Sequence, residues 1–449
     1  MTALSDNRNA RTDAKLSVLV LLTSALLFAC LKSRVVLILV FGVVAVLVLA
    51  AVVLHPLAVP CLLAFLAYGQ ASAAFAPGAF SAVLALGLVA WVVGALLRLD
   101  CSISWTRVDL ALALYVVALL LSMLFSRAPE AGDPVLFLAA KWVAFYILAV
   151  NLVRDERAVR LVGTFLVAGA VTSGAVALRT FSHVSTPAVV GAVFRAAGLA
   201  GNPNELAMVM ITALPVAVYL ARIAERNSAK LLFVASALVL VLANLVSLSR
   251  MGLLGMVVVA AIVGFRERRS VWARVAALAF LVSIPLIIPR GFWLRFAASG
   301  ALGADYSALV RTGAMTAGLR MITENPITGV GLGAFLDKST QYGDVLSPLV
   351  AHNMFLHVMA ESGIIGLAAM LFLIVSSLAS MAAAEKLSPA GSPIFYMARG
   401  FRVSYIAYVI CGLFGSIQLN QSFWFMPAAS VFLLHAARRR AASADPVPA

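Results

Sequence analysis

The chain has 449 residues, of which 63% are hydrophobic and only 11% are charged, and its mean hydropathy is +1.05. Because soluble domains are about half apolar and about a quarter charged, this composition excludes a soluble globular protein. The net charge of +15 does not indicate a nucleic-acid partner, since basic residues also crowd the cytoplasmic loops of membrane proteins. The four cysteines have neither metal-ligand spacing nor a disulfide pattern.

Apolar runs long enough to cross a bilayer follow one another along the chain and predict transmembrane helices. They alternate with basic loops from Arg98 onward, so both termini are expected inside. We expect about 12–14 spans, depending on whether the first hairpin, 16–54, crosses the membrane. The runs are 16–31, 35–54, 57–75, 80–97, 108–126, 135–153, 159–178, 204–221, 230–247, 251–265, 271–289, 353–381, 401–419 and 421–437.

The runs predict an all-α polytopic membrane protein with five parts. A cytoplasmic tail, 1–15, precedes a transmembrane bundle, 16–289. A large outer loop, 290–351, connects this bundle to the C-terminal transmembrane helices, 352–437, and a second cytoplasmic tail, 438–449, follows.

The large outer loop contains one predicted helix and one glycine-rich turn. Apolar residues at helical spacing between Ser307 and Thr323 predict an amphipathic helix lying on the bundle, and Pro326 ends it. No predicted strand precedes Gly329-Val330-Gly331-Leu332-Gly333, so this turn does not indicate a phosphate-binding loop. We expect it to allow a close backbone approach between the loop and a helix.

Two arginines lie where the predicted topology places a cation at the outer membrane boundary. Arg250 occupies a turn of a few residues between two apolar runs, and Arg311 lies on the amphipathic helix. A guanidinium has paired donors that match phosphate oxygens, so these positions indicate binding of a lipid-linked diphosphate. Ordinary lipid head groups are one alternative, and ion pairs with Asp305, Asp337 or Asp344 are another.

His352 is the candidate general base, because it lies where the long loop re-enters the membrane and a histidine titrates near neutral pH. A structural role is the alternative for a lone histidine. Glu361 lies one turn after His357 and is placed to pair with it, and both are interpreted as packing or supporting residues. Lys141 lies inside an apolar run. It either reaches the same outer cavity as Arg250 and His352 or extends its ammonium to the membrane surface.

The outer loops lack several patterns that would indicate other chemistry. They contain no D-x-D, no H-E-x-x-H and no closely paired carboxylates, so neither a metal site nor another cofactor is predicted. Arginine would then stabilise the charge of a leaving diphosphate. A transporter is the alternative from another functional class, but the sequence shows no internal repeat and its notable polar residues gather at one boundary.

Six short segments, in four groups along the chain, carry a family resemblance when they are taken together. The segments are Gly201-Asn202-Pro203-Asn204-Glu205-Leu206-Ala207, Ser249-Arg250-Met251-Gly252, Val310-Arg311 with Asn325-Pro326-Ile327-Thr328-Gly329-Val330-Gly331, and His352-Asn353 with Glu361-Ser362-Gly363-Ile364-Ile365-Gly366-Leu367. In order, spacing and topology the chain resembles the O-antigen ligase and polymerase superfamily, the bacterial WaaL and Wzy proteins. The resemblance covers about residues 110–380.

The resemblance implies a membrane glycosyltransferase with a GT-C-type bundle in the bacterial inner membrane. Such an enzyme is active at the periplasmic side, so the loop 290–351 would be periplasmic. Such an enzyme moves glycan from undecaprenyl diphosphate to an acceptor hydroxyl with inversion and without a metal. The acceptor is lipid A-core for an O-antigen ligase of lipopolysaccharide biosynthesis. For a polymerase of O-antigen or exopolysaccharide, which is the alternative, the acceptor is a second lipid-linked glycan.

The resemblance also implies roles for particular residues. By motif position, Arg250 and Arg311 correspond to the family's essential arginines, and His352 corresponds to its essential histidine. Arg195 and Asn204 are further expected substrate-binding residues. The apolar bundle would admit the polyprenyl tail from among the membrane lipids, whereas the choice between ligase and polymerase stays open because loop shape selects the acceptor.

Overall fold

The computed structural model describes residues 55–70, 78–98, 105–126, 129–183, 194–266, 306–343 and 348–444. Within these ranges the chain is helical and forms no β-strand. In chain order the helices are α1 (Ala58–Gly69), α2 (Ala79–Arg98), α3 (Arg107–Leu124), α4 (Asp133–Leu152), α5 (Glu156–His183), α6 (Pro203–Ile223), α7 (Asn227–Val246), α8 (Arg250–Arg266), α9 (Tyr306–Glu324), α10 (Phe335–Tyr342), α11 (Met354–Leu387), α12 (Pro393–Cys411) and α13 (Gln421–Ala444).

The predicted fold class, an all-α polytopic membrane protein, is confirmed. In the described part of the chain, seven helices (α3 to α7, α11 and α12) are long and apolar enough to cross a membrane. The first hairpin, 16–54, and the run 271–289 lie outside the described residues. The total of 12–14 spans therefore stays a prediction.

The predicted start of the penultimate span at 401 is wrong, because α12 begins at Pro393. The hydropathy signal fails here because two arginines lie in the first half of this helix. Glu385, near the end of α11, pairs with both of them, at 2.9 Å to Arg399 and 2.7 Å to Arg402. This pairing compensates the charges and lets the helix begin earlier than its apolar residues indicate.

Two helices form the centre of the bundle. α6 packs against α5, α7, α8 and α12. α13 is buried on every side from Phe423 to Leu434, as expected for a helix that is apolar all round. By contrast, α7 exposes Leu231, Val234 and Leu238, and this outward apolar face is suited to contact with lipid tails.

The helices alternate in direction, so the bundle has two ends. One end carries most of the basic residues of the described part, among them Arg154, Arg157, Arg160, Arg226 and Arg438. The other, which we call the motif end, is formed by segments 194–204, 246–251, 351–357 and 411–421.

The amphipathic helix predicted between Ser307 and Thr323 is present as α9 and packs against α10 and α11. Its packed face is made of small or flexible side chains, Ala314, Ala317 and Met321, which are fully buried. Met315 and Leu319 are about half exposed, whereas Ile322 packs against the buried cluster of Ala317 and Met321.

The segment after α9 is attached to a break in α11. At Gly363 the φ angle is +61°, which interrupts the helix and turns its backbone groups toward segment 326–331. Three backbone hydrogen bonds join the two segments, and we call this arrangement the clasp. They run from Val330 N–H to Ala360 O (2.9 Å), from Gly331 N–H to Glu361 O (3.1 Å) and from Ile364 N–H to Pro326 O (2.9 Å).

Glycine is required on both sides of the clasp. A Cβ added at Gly329 would lie 2.2 Å from the Glu361 carbonyl oxygen, and one added at Gly363 would lie 2.1 Å from Ile327 O. Both glycines also have a positive φ, which other residues adopt only with strain. The close backbone approach predicted for the glycine-rich turn is therefore confirmed.

Candidate active site

The turn between α7 and α8 is held together by two serines. Ser247 Oγ donates to Asn244 O at 2.6 Å and accepts from Ser249 N–H at 3.2 Å. Ser249 Oγ in turn accepts from Gly252 N–H at 3.3 Å, which caps the first turn of α8. These bonds set Arg250 as the first residue of α8, with its side chain exposed.

Arg195 and Asn204 connect this turn to the start of α6. Asn204 Oδ1 accepts from Arg195 Nη2 and from Ser249 Oγ, both at 2.9 Å. Arg195 Nε also donates to Ser247 O at 3.1 Å. The structure thus brings two of the predicted substrate-binding residues together, in contacts that support the turn carrying Arg250.

The environment of Arg250 favours an anion. The N-terminus of α8 carries a partial positive charge from its aligned peptide dipoles. The Arg250 guanidinium lies at this same terminus. Helix N-termini are common phosphate sites, and here an exposed arginine adds a full charge.

His352 lies directly before the cap of α11. Asn353 is the N-cap, and its Oδ1 accepts from Phe355 N–H at 2.9 Å and from Leu356 N–H at 3.0 Å. His352 is half-buried and has a left-handed backbone with φ of +52°. The Asn353 cap therefore fixes the backbone position from which the His352 side chain extends at the motif end.

One turn later, His357 forms a buried cluster with Glu361 of the same helix and with residues from two other segments. Its Nε2 lies 3.2 Å from Glu361 Oε1, and its Nδ1 lies 3.1 Å from Ser416 Oγ. Its ring stacks on Phe335, with 4.7 Å between centroids. Glu361 Oε1 also accepts from Phe335 N–H at 3.1 Å, so the expected His357–Glu361 pair joins α10, α11 and the turn after α12.

The end of α12 links the segment of Arg250 to that of His352. Cys411 Sγ donates to Met251 O at 3.3 Å, one residue after Arg250. A Cβ added at Gly412 would lie 2.8 Å from Met354 Cε, two residues after His352. Both segments therefore contact the same short stretch of chain at the motif end.

Lys141 lines a cavity of 190 Å³ at the motif end, together with Glu205, Gln421 and Gln70. Its Nζ lies 4.8 Å from the Phe137 ring centroid, and the choice between the two alternatives for this lysine stays a prediction. Neither Arg250 nor His352 is among the lining residues. The two glutamines were not identified from the sequence, although each is a polar residue within a predicted apolar run.

Arg311 lies on α9, the helix that packs against α10 and α11, and its side chain is outside the described part. Of the three aspartates considered as ion-pair partners, only Asp337 is described, and it is exposed. The described residues contain no group of three His, Cys, Asp or Glu side chains placed to hold a metal ion. Metal independence stays a prediction.

The chain matches the O-antigen ligase family model over residues 231–371. This range includes the α7–α8 turn, α9, the clasp and the start of α11. The resemblance to the O-antigen ligase and polymerase superfamily is therefore confirmed over these residues. No match was found among curated proteins.

Proposed function

We propose, on the premise that residues 231–371 form an O-antigen ligase family domain, that the chain is a glycosyltransferase of the bacterial inner membrane. The donor is a glycan on undecaprenyl diphosphate, and the acceptor is a sugar hydroxyl of lipid A-core. O-antigen ligase or polymerase activity follows from the family in general terms. The choice of ligase, donor and acceptor is the proposal.

The observation that carries this proposal is that two predicted residues, Arg250 and His352, lie on segments that meet the end of α12 at the motif end. The cap of α8 presents Arg250, the cap of α11 presents His352, and the end of α12 contacts both segments. An arginine at a helix N-terminus and an imidazole at the same end of the bundle are the groups that displacement of a diphosphate by a hydroxyl would use.

In the proposed reaction, Arg250 and Arg311 bind the diphosphate oxygens of the donor through their paired N–H donors. A ring nitrogen of His352 takes the proton of the acceptor hydroxyl. The hydroxyl oxygen then forms a bond to the anomeric carbon of the donor sugar. The bond between that carbon and the diphosphate oxygen breaks, and its electron pair leaves with the diphosphate. Attack from the opposite face inverts the anomeric configuration.

The distribution of charge supports a periplasmic site. Arg154, Arg157 and Arg160 lie at the end of the bundle opposite to the motif end, as do Arg438 and Arg226. Basic residues of membrane proteins concentrate on the cytoplasmic side. The motif end would then face the periplasm, where lipid A-core and the translocated donor meet.

The test is reconstitution of the purified chain in vesicles with lipid-linked glycan and lipid A-core, with and without a chelator. Glycan on lipid A-core supports a ligase, whereas longer lipid-linked chains would identify a polymerase instead. Loss of product with the chelator would refute the metal-free mechanism.

His352→Ala is expected to abolish transfer in this assay while the protein level and melting temperature are kept, because the acceptor proton loses its base. His183→Ala is the matched control, since His183 ends α5 at the same end of the bundle and belongs to none of the family segments. Normal transfer by His352→Ala would refute the proposed mechanism.

A further inference from the structure

The cavity at the motif end has lining groups that the steps above leave unused. It has a volume of 190 Å³ and lies among α1, α2, α4, α6 and the turn before α13. Its polar lining groups are a cation, an anion and two amides, and two aromatic rings also line it. The residues are Lys141, Glu205, Gln70, Gln421, Phe80 and Trp142.

Gln421 provides a second, independent observation. Its Nε2 is buried and has no hydrogen-bond partner among the described residues. A buried donor without an acceptor costs free energy, and an oxygen of a ligand in the cavity would remove that cost.

The aromatic rings narrow the choice of ligand. Phe80 and Trp142 line the cavity, with 5.1 Å between their centroids. An apolar ring beside a few convergent polar groups suits a ligand that has both C–H faces and hydroxyls. A polyprenyl tail would leave the polar groups unpaired. Because Glu205 balances the charge of Lys141, the lining has no net positive charge and favours a neutral polar ligand over a phosphate.

We propose that this cavity is a sugar subsite that binds one neutral pyranose ring of the glycan. This inference rests on the proposed function. The Glu205 carboxylate accepts a hydrogen bond from one sugar hydroxyl, and Gln421 Nε2 donates to another. The volume is below the roughly 300–1,000 Å³ of sites for drug-sized ligands, so the cavity takes a single ring rather than an oligosaccharide.

The experiment measures binding without turnover. The full chain in nanodiscs is titrated with the free oligosaccharide released by mild acid from the lipid-linked glycan, and binding is followed by saturation-transfer NMR. Gln421→Leu is expected to weaken binding roughly three- to tenfold, as for the loss of one neutral hydrogen bond. Glu205→Gln is expected to weaken it by a similar factor, because a charge-assisted hydrogen bond becomes a neutral one. Inorganic pyrophosphate is expected not to displace the sugar.

Gln418→Leu is the matched control. Gln418 lies three residues before Gln421 in the same turn, and its Oε1 is likewise buried without a partner among the described residues. It does not line the cavity, so its substitution should leave sugar binding unchanged. Equal weakening by the control, displacement by pyrophosphate, or no binding by the unaltered chain would overturn the subsite.

His352→Ala separates this inference from the proposed function. We expect that variant to lose transfer and to keep oligosaccharide binding. If the unaltered chain transfers no glycan, the proposed function fails while the binding result stands, and normal transfer by His352→Ala refutes only the role of His352 as the base. If His352→Ala is inactive while both Gln421→Leu and Glu205→Gln bind sugar as the unaltered chain does, the subsite is refuted and the proposed function stands.

Discussion

Gly363→Ala is expected to release the segment after α9 from α11. A Cβ at this position would lie 2.1 Å from Ile327 O, a distance that no side chain tolerates. Because the near atom belongs to the backbone, the neighbour cannot rotate away. Either segment 326–331 moves off or α11 changes course, and both alternatives break the clasp.

The magnitude follows from the bonds that the clasp contains. It has three backbone hydrogen bonds, at 2.9, 3.1 and 2.9 Å. Each contributes a net of about 0.5–1.5 kcal/mol, so their joint loss lowers the free energy of opening by about 2–4 kcal/mol. Since about 1.4 kcal/mol is tenfold in an equilibrium constant, the opened population rises roughly 30- to 1,000-fold.

The assay is hydrogen–deuterium exchange of the full chain in nanodiscs, followed in peptides that contain Val330 and Gly331. Gly391→Ala is the matched control, because Gly391 has a φ of +89° but a Cβ there would meet nothing within 4 Å. The control incurs the backbone strain without the collision. Equal exchange of the Val330 and Gly331 amides in the two variants would refute the reasoning.

Three further predictions concern the motif end. Glu361→Ala removes the acceptor of the Phe335 N–H and the carboxylate that lies 3.2 Å from His357 Nε2. It should lower the free energy of unfolding by about 2–4 kcal/mol, seen as a lower melting temperature in detergent. An unchanged melting temperature would contradict this role. Asn204→Ala removes the acceptor shared by Arg195 and the α7–α8 turn, and it should raise the KM for donor roughly three- to tenfold. An unaltered KM would show that these hydrogen bonds do not support donor binding. Arg250→Lys should strongly reduce transfer although the charge is kept, because paired donor geometry is lost. Arg179→Lys, at the same end, is its control, and equal turnover by both variants would show that charge alone suffices.

Much of the fold could be predicted because hydropathy is a local property. The predicted run 204–221 corresponds to Pro203–Ile223, and 108–126 corresponds to Arg107–Leu124. The start of α12 could not be predicted in this way. Its arginines are compensated by Glu385, a residue of another helix, so the apolar run understates the length of the helix.

The candidate site was predictable to the level of segments. Topology placed Arg250 and His352 at the same end, and the structure shows both at helix N-termini linked by the end of α12. The role of Asn204 as a shared acceptor was not predictable, because Ser249 is 45 positions away in the chain. Such a contact depends on how α6 packs against the α7–α8 turn.

By itself, the sequence determined the all-α membrane fold, the alternation of basic loops and the position of each motif along its helix, because bilayer partition and helix capping depend on neighbouring residues. The tertiary structure decided which motifs meet. It joined Gly329 to Gly363 in the clasp, buried α13 on every side and gathered Glu205 and Gln421 around one cavity. These contacts arise from packing between helices that are distant in the chain, where local hydropathy carries no information about the partner.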